Sequence, residues 1–225
     1  MMPPAMESRM DYETARRNMV EGQIRTNKVT HAALLAAMAA VPRERFVPAE
    51  RAHVAYVYED IPLGGGRYLM EPMVFARLVQ IAEPDPGESA LLVGSATGYG
   101  AAILARLVKS VTALECDPAL AAKGREQFAR QSVIGAVQVE GPLEQGWSRG
   151  APYDLILLEG SAETIPQPLF DQLADGGRLS AVLAAGGVGQ AVLHEKRANI
   201  LSHRAIFDAA AHPLPGFAVR RGFVF

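Results

Sequence analysis

Two glycines and a glutamate mark the part of this sequence whose residue types could do chemistry. The stretch "LLVGSATGYGAA" places five small residues directly after an apolar run: Gly94, Ser95, Ala96, Thr97 and Gly98. Small residues let a backbone approach a ligand, and the first turn of a following helix offers free N–H groups. Glu115 lies 21 residues after Gly94, close to the spacing of roughly 20 expected for a carboxylate that binds ribose hydroxyls. The pattern predicts a site for an adenosine compound.

The turn departs from the two best-known nucleotide-binding motifs. Its glycines do not follow the G-x-G-x-x-G spacing, and the absence of a lysine excludes a P-loop. The distance to Glu115 fits adenosine in either a dinucleotide or S-adenosylmethionine. The alternative is a tight strand-to-helix turn that holds no ligand.

Length and composition describe an ordinary globular chain. Its 225 residues, of which 49% are hydrophobic and 20% charged, suffice for one sizeable core. The net charge of -2 indicates neither nucleic acid nor an anionic membrane as a partner, and no apolar run has the length of a membrane span. Cys116 is the single cysteine, which excludes an intrachain disulfide. Because the N-terminus lacks a secretion signal, we expect a cytoplasmic protein; the sequence leaves the oligomeric state open.

Strand and helix patterns alternate from residue 89 onward. Strands are predicted for "SALLV", "SVTALE", "GAVQV", "YDLILLEG" and "RLSAVL". Helices are predicted for "YGAAILARLV", after Asp117, and for "PLFDQLA" up to the pair Gly176 and Gly177. This alternation predicts an α/β fold with a mostly parallel sheet and helices on both faces. The segment from Gly189 lacks helical periodicity and predicts antiparallel edge strands.

Helical periodicity also precedes the sheet. Asp11 is a candidate N-cap for a helix through about Arg25, and Thr30 for a second helix that must end before Pro42. A turn-rich loop follows at residues 41–72, and long loops in compact domains are often functional. "MVFARLVQIAE" then predicts a third helix. We expect a disordered tail at residues 1–10 and a single domain at residues 11–225.

Six stretches between residues 19 and 187 match one known family. They are "MVEGQIR", "AMAAVPRERFVP", "EDIPLGGGRYLMEP", "GYGAAILARL", "APYDLILLEGSAETIP" and "QLADGGRL". With these motifs the chain resembles the protein-L-isoaspartate O-methyltransferases. The resemblance implies a Rossmann-like fold, S-adenosylmethionine as cofactor, and carboxyl methylation of isoaspartyl residues in damaged proteins, which is protein repair. It makes residues 11–80 the N-terminal helices and substrate loop, and residues 81–225 the cofactor-binding sheet.

The expected cofactor positions contain three departures from the family pattern. Leu92 stands in place of an acid that helps to fix the methionine part of the cofactor, and Ala96 replaces the middle glycine. Pro142 replaces an aspartate near the adenine amino group, although Leu143 could still pack on the adenine face. A hydrogen bond to a charged group contributes about 1.5–3 kcal/mol. We therefore expect the cofactor to be bound weakly or not at all.

Three further residues lie near the expected adenine and ribose. Glu140 or Glu144 could replace the missing aspartate, but both are expected to be solvated surface charges. Cys116 directly follows Glu115. Because no base is evident beside it, we interpret Cys116 as apolar packing rather than as a nucleophile.

The predicted substrate loop contains Gly66, Arg67, Tyr68, Met70 and Glu71. Met70 occupies the position of a family serine that helps to hold the isoaspartyl group, so no residue is assigned as catalytic. We expect Glu71 to face solvent; if it points inward it repels an isoaspartyl carboxylate, and the substrate is neutral, cationic or absent. Arg67 could pair with Glu71 or bind an acidic ligand.

The sequence thus supports three functions. The first is an S-adenosylmethionine-dependent methyltransferase of the isoaspartyl type, with isoaspartyl activity doubtful and altered substrate choice as a variant. The second is a non-catalytic relative that acts as a binding module, and the third is a binder of another adenosine compound. No metal site is expected, because five scattered histidines lack metal spacing: His31, His53, His194, His203 and His212. The glycine-rich residues 186–189 are interpreted as a turn between edge strands.

Overall fold

The structure, a computed structural model, describes residues 11–198 and 200–219, so the tail predicted at residues 1–10 lies outside the described residues. Nine strands are present in this part of the chain: Ile61–Gly64 (β1), Arg67–Leu69 (β2), Ser89–Val93 (β3), Ser110–Glu115 (β4), Ala136–Glu140 (β5), Tyr153–Ala162 (β6), Leu173–Leu183 (β7), Gln190–Arg197 (β8) and Ile200–Asp208 (β9). Strands β1 and β2 form a hairpin, and the other seven form one sheet in the order β5-β4-β3-β6-β7-β8-β9.

The seven-stranded sheet confirms the predicted fold class. The four pairs from β5 to β7 are parallel, and β8 and β9 add antiparallel strands at one edge. The helices are Tyr12–Met19 (α1), Ala32–Ala40 (α2), Pro72–Ile81 (α3), Tyr99–Leu104 (α4), Pro118–Arg130 (α5) and Gln167–Asp171 (α6). As in any buried strand, successive residues of β3 face opposite sides. Ala90 and Leu92 join the core with α1 to α5, and Leu91 and Val93 join the core with α6.

The N-terminal helical region follows the sequence pattern except at one cap. Asp11 caps α1, which continues as a π turn at Val20–Ile24 and a 3-10 turn at Arg25–Asn27. The predicted N-cap of α2, Thr30, was wrong. The N-cap is His31, whose Nδ1 accepts a hydrogen bond from the backbone N–H of Leu34. Thr30 instead donates its backbone N–H to a glutamine side chain at the end of α3.

Two predicted helices are shorter than the sequence indicated. After Leu104 the backbone tightens into i→i+3 hydrogen bonds, so α4 ends before the turn into β4. The last helix ends at Asp171 because Leu173 already pairs with Tyr153 of β6. Gly176 and Gly177 therefore lie inside β7 rather than at a helix end.

Two segments reach the carboxyl ends of the parallel strands, where α/β sheets bind ligands. One is the β1–β2 hairpin, which lies within the turn-rich loop. The other is residues 209–217, which we call the C-terminal strap. The strap follows β9 and lies along the end of β6, with a bridge between Ser161 and Pro213. No helix among the described residues is long and apolar enough to cross a membrane.

Candidate functional site

The glycine turn lies between β3 and α4, as the sequence predicts. The N–H groups of Gly94 and Ser95 donate to the carbonyl of Leu114, which fixes the turn against β4. Gly98 caps α4 in the left-handed region, with φ of 92°. Ala96 also has a positive φ, 47°, a backbone conformation that costs an alanine about 1–2 kcal/mol. The Ala96 methyl group therefore strains the backbone of the turn and also occupies space beside it.

Solvent does not reach this turn. Ser95 and Ala96 are 0% and 1% exposed, and Thr97 is 5% exposed. Ser95 Oγ accepts a hydrogen bond from Gln138, and Thr97 Oγ1 donates to the carbonyl of Phe46. The side chains that would line an open cleft are thus already bonded to other parts of the protein.

Glu115 ends β4 and faces the turn. Its Oε2 accepts from the N–H of Ala96 at 2.7 Å, and its Oε1 accepts from the N–H groups of Cys116 and Asp117 at 2.9 and 3.1 Å. The carboxylate is 0% exposed. Burial raises its pKa, but the guanidinium of Arg67 and these N–H groups outweigh burial, so the net shift is downward. Glu115 is therefore ionised at neutral pH.

Arg67 lies at the start of β2 and reaches into the same cleft. Its Nη2 donates to Glu115 Oε2 at 2.9 Å and to the carbonyl of Gly94 at 3.0 Å, and its Nε donates to Glu115 Oε1 at 3.3 Å. The two side chains are 4% and 0% exposed. Of the two alternatives for Arg67, pairing with Glu71 is not observed, because the hairpin directs Arg67 to Glu115 at the end of β4.

Leu214 of the C-terminal strap closes the other side of the turn. A Cβ placed on Gly94 or on Gly160 would lie 2.6 Å from Leu214 Cδ2, so the leucine methyl touches the bare backbone of both glycines. The strap is held by hydrogen bonds of 2.8 Å from Leu214 N–H to the Ser161 carbonyl and from Ser161 N–H to the His212 carbonyl. Leu214 is 3% exposed.

The predicted substrate loop contains a partly buried acidic side chain, that of Glu71. Glu71 is half-buried and its Oε1 lies out of contact with solvent, so the expectation that Glu71 faces solvent is wrong for that atom. Its N–H donates to Asp60 at 2.6 Å, and burial together with Asp60 raises the pKa of Glu71. Met70 is buried, and its carbonyl accepts from the fully buried Arg43 at 2.7 Å. An acidic loop is unfavourable for an anionic substrate.

A small cavity of about 10 Å³ separates the loop from the end of β6, which is room for about one water molecule. Arg67, Tyr68, Met70 and Glu159 are among the residues that line it. The ring of Tyr68 stacks on His212 of the strap, with centroids 3.4 Å apart. Gly66 is exposed at the tip of the hairpin and does not reach this cavity.

Glu159 was not identified from the sequence. It lies near the end of β6 at 3% exposure, and burial raises its pKa to about 8, opposed by Arg43 and Arg67. A signal for it existed, since a charged residue ends the apolar run "YDLILLEG". Leu214, in "HPLPGF", carries no comparable signal.

The predicted adenine edge is only partly assembled. Leu143 is fully buried in the core beside β4, whereas Pro142 is exposed. Glu140 is exposed as expected, but Glu144 is half-buried against Gly216 of the strap. Cys116 packs against the same core, and burial and Glu115 raise its pKa to about 11. The described residues contain no cluster of three or more side chains suited to a metal ion.

S-adenosylmethionine, which the resemblance implies, does not fit this cleft in the described conformation. The glycine turn and Glu115 are in place, but Arg67 occupies both oxygens of the predicted ribose-binding carboxylate. Leu214 covers the glycine backbone that the cofactor would approach.

Comparisons with known proteins agree with the sequence motifs. The family model for Protein-L-isoaspartate(D-aspartate) O-methyltransferase matches residues 14–206. The chain is 36% identical over 208 residues to the protein-L-isoaspartate O-methyltransferase of Picosynechococcus sp., covering 91% of this chain and 93% of that protein. It is 40% identical over 166 residues to that of Methanoculleus marisnigri, covering 74% and 76%.

Solved structures show the same fold. A beta-aspartate methyltransferase from Plasmodium falciparum in complex with S-adenosyl-L-homocysteine has a TM-score of 0.72 at 18% identity, over 88% of this chain and 97% of that one. A protein-L-isoaspartate O-methyltransferase has a TM-score of 0.78 at 21% identity, over 89% and 66%.

Proposed function

This chain belongs to the protein-L-isoaspartate(D-aspartate) O-methyltransferase family, and from that membership we propose that it methylates carboxyl groups of proteins or peptides with S-adenosylmethionine as donor. Membership of this family makes the protein an enzyme of the methyltransferase type. The observation that carries the proposal is Glu115, an ionised carboxylate at the carboxyl end of β4 beside the Gly94 turn. Its place is the one expected of a ribose-binding acid. Isoaspartyl residues are the acceptor class that the relatives' names indicate, and repair of damaged protein in the cytoplasm is the corresponding role.

The protein's part in such a transfer is positioning and the exclusion of water. Methyl transfer from a sulfonium needs little acid–base chemistry, so the serine-to-methionine change at Met70 does not by itself remove activity. The buried surroundings of Ser95, Ala96 and Thr97 keep the turn dry. A site built from these residues is suited to orienting groups rather than to moving protons.

We propose that the cofactor is held weakly. Leu92 is 0% exposed and packs in the core with α1 to α5, so it offers the cofactor's ammonium group no acceptor. Pro142 offers neither a carboxylate nor an N–H group to adenine. Two missing charge-assisted contacts amount to about 3–6 kcal/mol if they are additive. That corresponds to roughly a 100- to 20,000-fold loss of affinity.

We further propose that isoaspartyl peptides are poor acceptors. The backbone N–H of Glu71 donates to Asp60, and burial followed by the charge of Asp60 raises the Glu71 pKa. An incoming isoaspartyl carboxylate adds a third acidic group to this loop and is disfavoured by repulsion and desolvation. Activity is therefore expected on isoaspartyl peptides at a low rate and at millimolar peptide concentrations.

One observation favours a second candidate function, a non-catalytic binding module. Arg67 satisfies Glu115 without any ligand, at 2.9 and 3.3 Å. A buried acid that has a partner within the chain does not need a ribose. This candidate predicts a protein that keeps the fold and does not respond to the cofactor.

Titration with S-adenosylhomocysteine separates the two candidates. Calorimetry at ligand concentrations up to several millimolar is expected to give a measurable, weak dissociation constant. A methylation assay follows, with an isoaspartyl peptide and the matching aspartyl peptide as control. No heat and no thermal shift at millimolar ligand would remove the enzymatic candidate, and methylation of the isoaspartyl peptide alone would remove the binding module.

A further inference from the structure

We propose that Glu159 is a specificity-determining residue for the methyl acceptor: its carboxyl group donates a hydrogen bond to one oxygen of the acceptor's carboxylate, in the cavity between the predicted substrate loop and the end of β6. This inference rests on the proposed function, because it takes that cavity as the place of the acceptor. It adds a residue to which the sequence motifs assign no role.

The first support is the place of Glu159 in the sheet. Strands β3, β4 and β5 follow one another toward one edge, and β6 and β7 follow toward the other. Ligands of α/β sheets bind at the carboxyl ends of the strands beside such a switch point. Glu159 lies near the end of β6, and its carbonyl oxygen is 3.5 Å from the position of a Cβ on Gly94. The residue is therefore a direct neighbour of the glycine turn.

The second support is a carboxyl oxygen of Glu159 that has no partner. Glu159 is 3% exposed, and its Oε2 is buried without a hydrogen-bond partner among the residues that the structure describes. Buried polar atoms normally have such a partner. A Cβ on Gly100 would lie 2.5 Å from Oε2, so the first turn of α4 has room for this carboxyl group only because it carries a glycine there. The buried carboxyl group thus has hydrogen-bonding capacity that the protein does not use.

The third support is the size and the lining of the cavity. Its volume of about 10 Å³ holds one water-sized group, and a single carboxylate oxygen has that size. Asp60, Arg67 and Met70 line the cavity together with Glu159. Arg67 already donates to Glu115, and neither an ionised Asp60 nor Met70 offers a proton. A protonated Glu159 supplies the donor that an acceptor carboxylate needs here.

The charge state of Glu159 suits this role. Burial raises its pKa to about 8, against the opposing effect of Arg43 and Arg67, so the carboxyl group is mostly neutral at pH 7. A carboxylic acid that its site keeps neutral can donate a hydrogen bond, and a bond from a neutral donor to a carboxylate is charge-assisted. An ionised Glu159 would instead repel the acceptor. The other titratable groups around it are Asp60, Tyr68, Tyr99, Glu115 and His212.

The test measures kcat/KM for an isoaspartyl peptide between about pH 6 and about pH 9.5, a profile that reports ionisations of the free enzyme. The peptide's own carboxylate stays ionised throughout this range. For wild type we expect a constant value at low pH and a decrease of about tenfold per pH unit above about pH 8. Glu159→Gln keeps an N–H donor, so it should retain activity and lose the decrease at high pH.

Glu159→Leu has a similar volume and no donor. Loss of a hydrogen bond to a charged group should lower kcat/KM at pH 7 by roughly 10- to 150-fold, mainly through a higher KM. The matched control is Glu195→Gln, on β8 two strands away from β6, where the side chain is 30% exposed. This control should keep the activity and the pH profile of wild type.

The outcomes separate this role of Glu159 from the proposed function. Methylation by wild type with a pH profile that Glu159→Gln shares, or with equal kcat/KM in Glu159→Gln and Glu159→Leu, overturns the role of Glu159 and leaves the proposed function intact. No methylation by wild type at millimolar peptide removes the proposed function, and the role of Glu159 with it.

Discussion

The Arg67–Glu115 pair yields a quantitative prediction for stability. Arg67→Leu leaves Glu115 without a cationic partner at 0% exposure. Breaking a buried ion pair costs about 3–5 kcal/mol, and the three backbone N–H groups that remain on Glu115 place the loss at the lower end, about 3 kcal/mol. In a chain of this size each kcal/mol lowers Tm by about 2–4 °C, so the expected decrease is about 6–12 °C at pH 7.

The loss of stability in Arg67→Leu should increase with pH. In the wild type the pKa of folded Glu115 is below its ordinary value of 4.5, so its contribution is fully present above that value and is lost only as the pH falls through the folded pKa. Without Arg67, burial dominates and the pKa rises above its unfolded value. The variant therefore loses stability as the pH rises, and the difference from wild type grows between pH 5 and pH 8.

Urea unfolding at several pH values measures this difference. The matched control is Arg130→Leu, which breaks the pair with Glu126, whose side chains are 66% and 50% exposed. Such a surface pair contributes about 0.2–0.5 kcal/mol, so the control is expected to unfold nearly as wild type does. A loss below about 1 kcal/mol for Arg67→Leu, or a loss that is constant from pH 5 to pH 8, would refute the buried-pair reasoning.

Three further predictions concern single residues. Ala96→Gly relieves the strain of a φ of 47° and should stabilise the protein by about 0.5–1 kcal/mol. Ala198→Gly, at an exposed position with the same φ of 47°, should stabilise it by as much. A lower Tm for either variant would contradict the strain argument. Glu159→Gln should stabilise the protein increasingly as the pH rises from about 5 to about 8 and by a constant amount above that, because the folded pKa of Glu159, about 8, lies above the unfolded value and its ionisation opposes folding. A gain in thermal melts that does not change with pH would contradict this reasoning. Cys116, with a pKa of about 11, should react with a thiol reagent roughly tenfold faster per pH unit up to about pH 10, and a plateau near pH 8.5 would show an ordinary thiol.

The strands and helices of the sheet region could be predicted because short stretches of sequence specify them. The strands "SALLV" and "YDLILLEG" are apolar runs of strand length, and the helices between them begin at recognisable caps such as Asp117. The predicted ends of helices were wrong where pairing with a residue distant in sequence determines the secondary structure. Leu173 joins β7 by pairing with Tyr153, and this pairing outweighs the helical periodicity of "PLFDQLA".

The glycine turn and Glu115 could also be located, because a βαβ unit fixes the distance between them. The side chains that contact Glu115 and the turn could not be predicted from the sequence. Arg67 is 48 residues away from Glu115, and its direction depends on how the hairpin packs. Leu214 reaches the turn only because the strap returns to β6 after β9. Contacts between segments that no single element links are set by the tertiary fold.

The substitutions in the cleft are consistent with one another in a way that sequence comparison alone does not reveal. A buried carboxylate such as Glu115 needs a partner, and in a site with a tightly bound cofactor the ribose supplies part of it. If Leu92 and Pro142 weaken the cofactor as proposed, a Glu115 without a partner would destabilise the protein. Arg67 removes this cost at 2.9 Å, and Leu214 fills the space beside it. The same pair that stabilises the ligand-free protein then competes with the ligand, so stability and cofactor affinity should change in opposite directions in every variant at position 67.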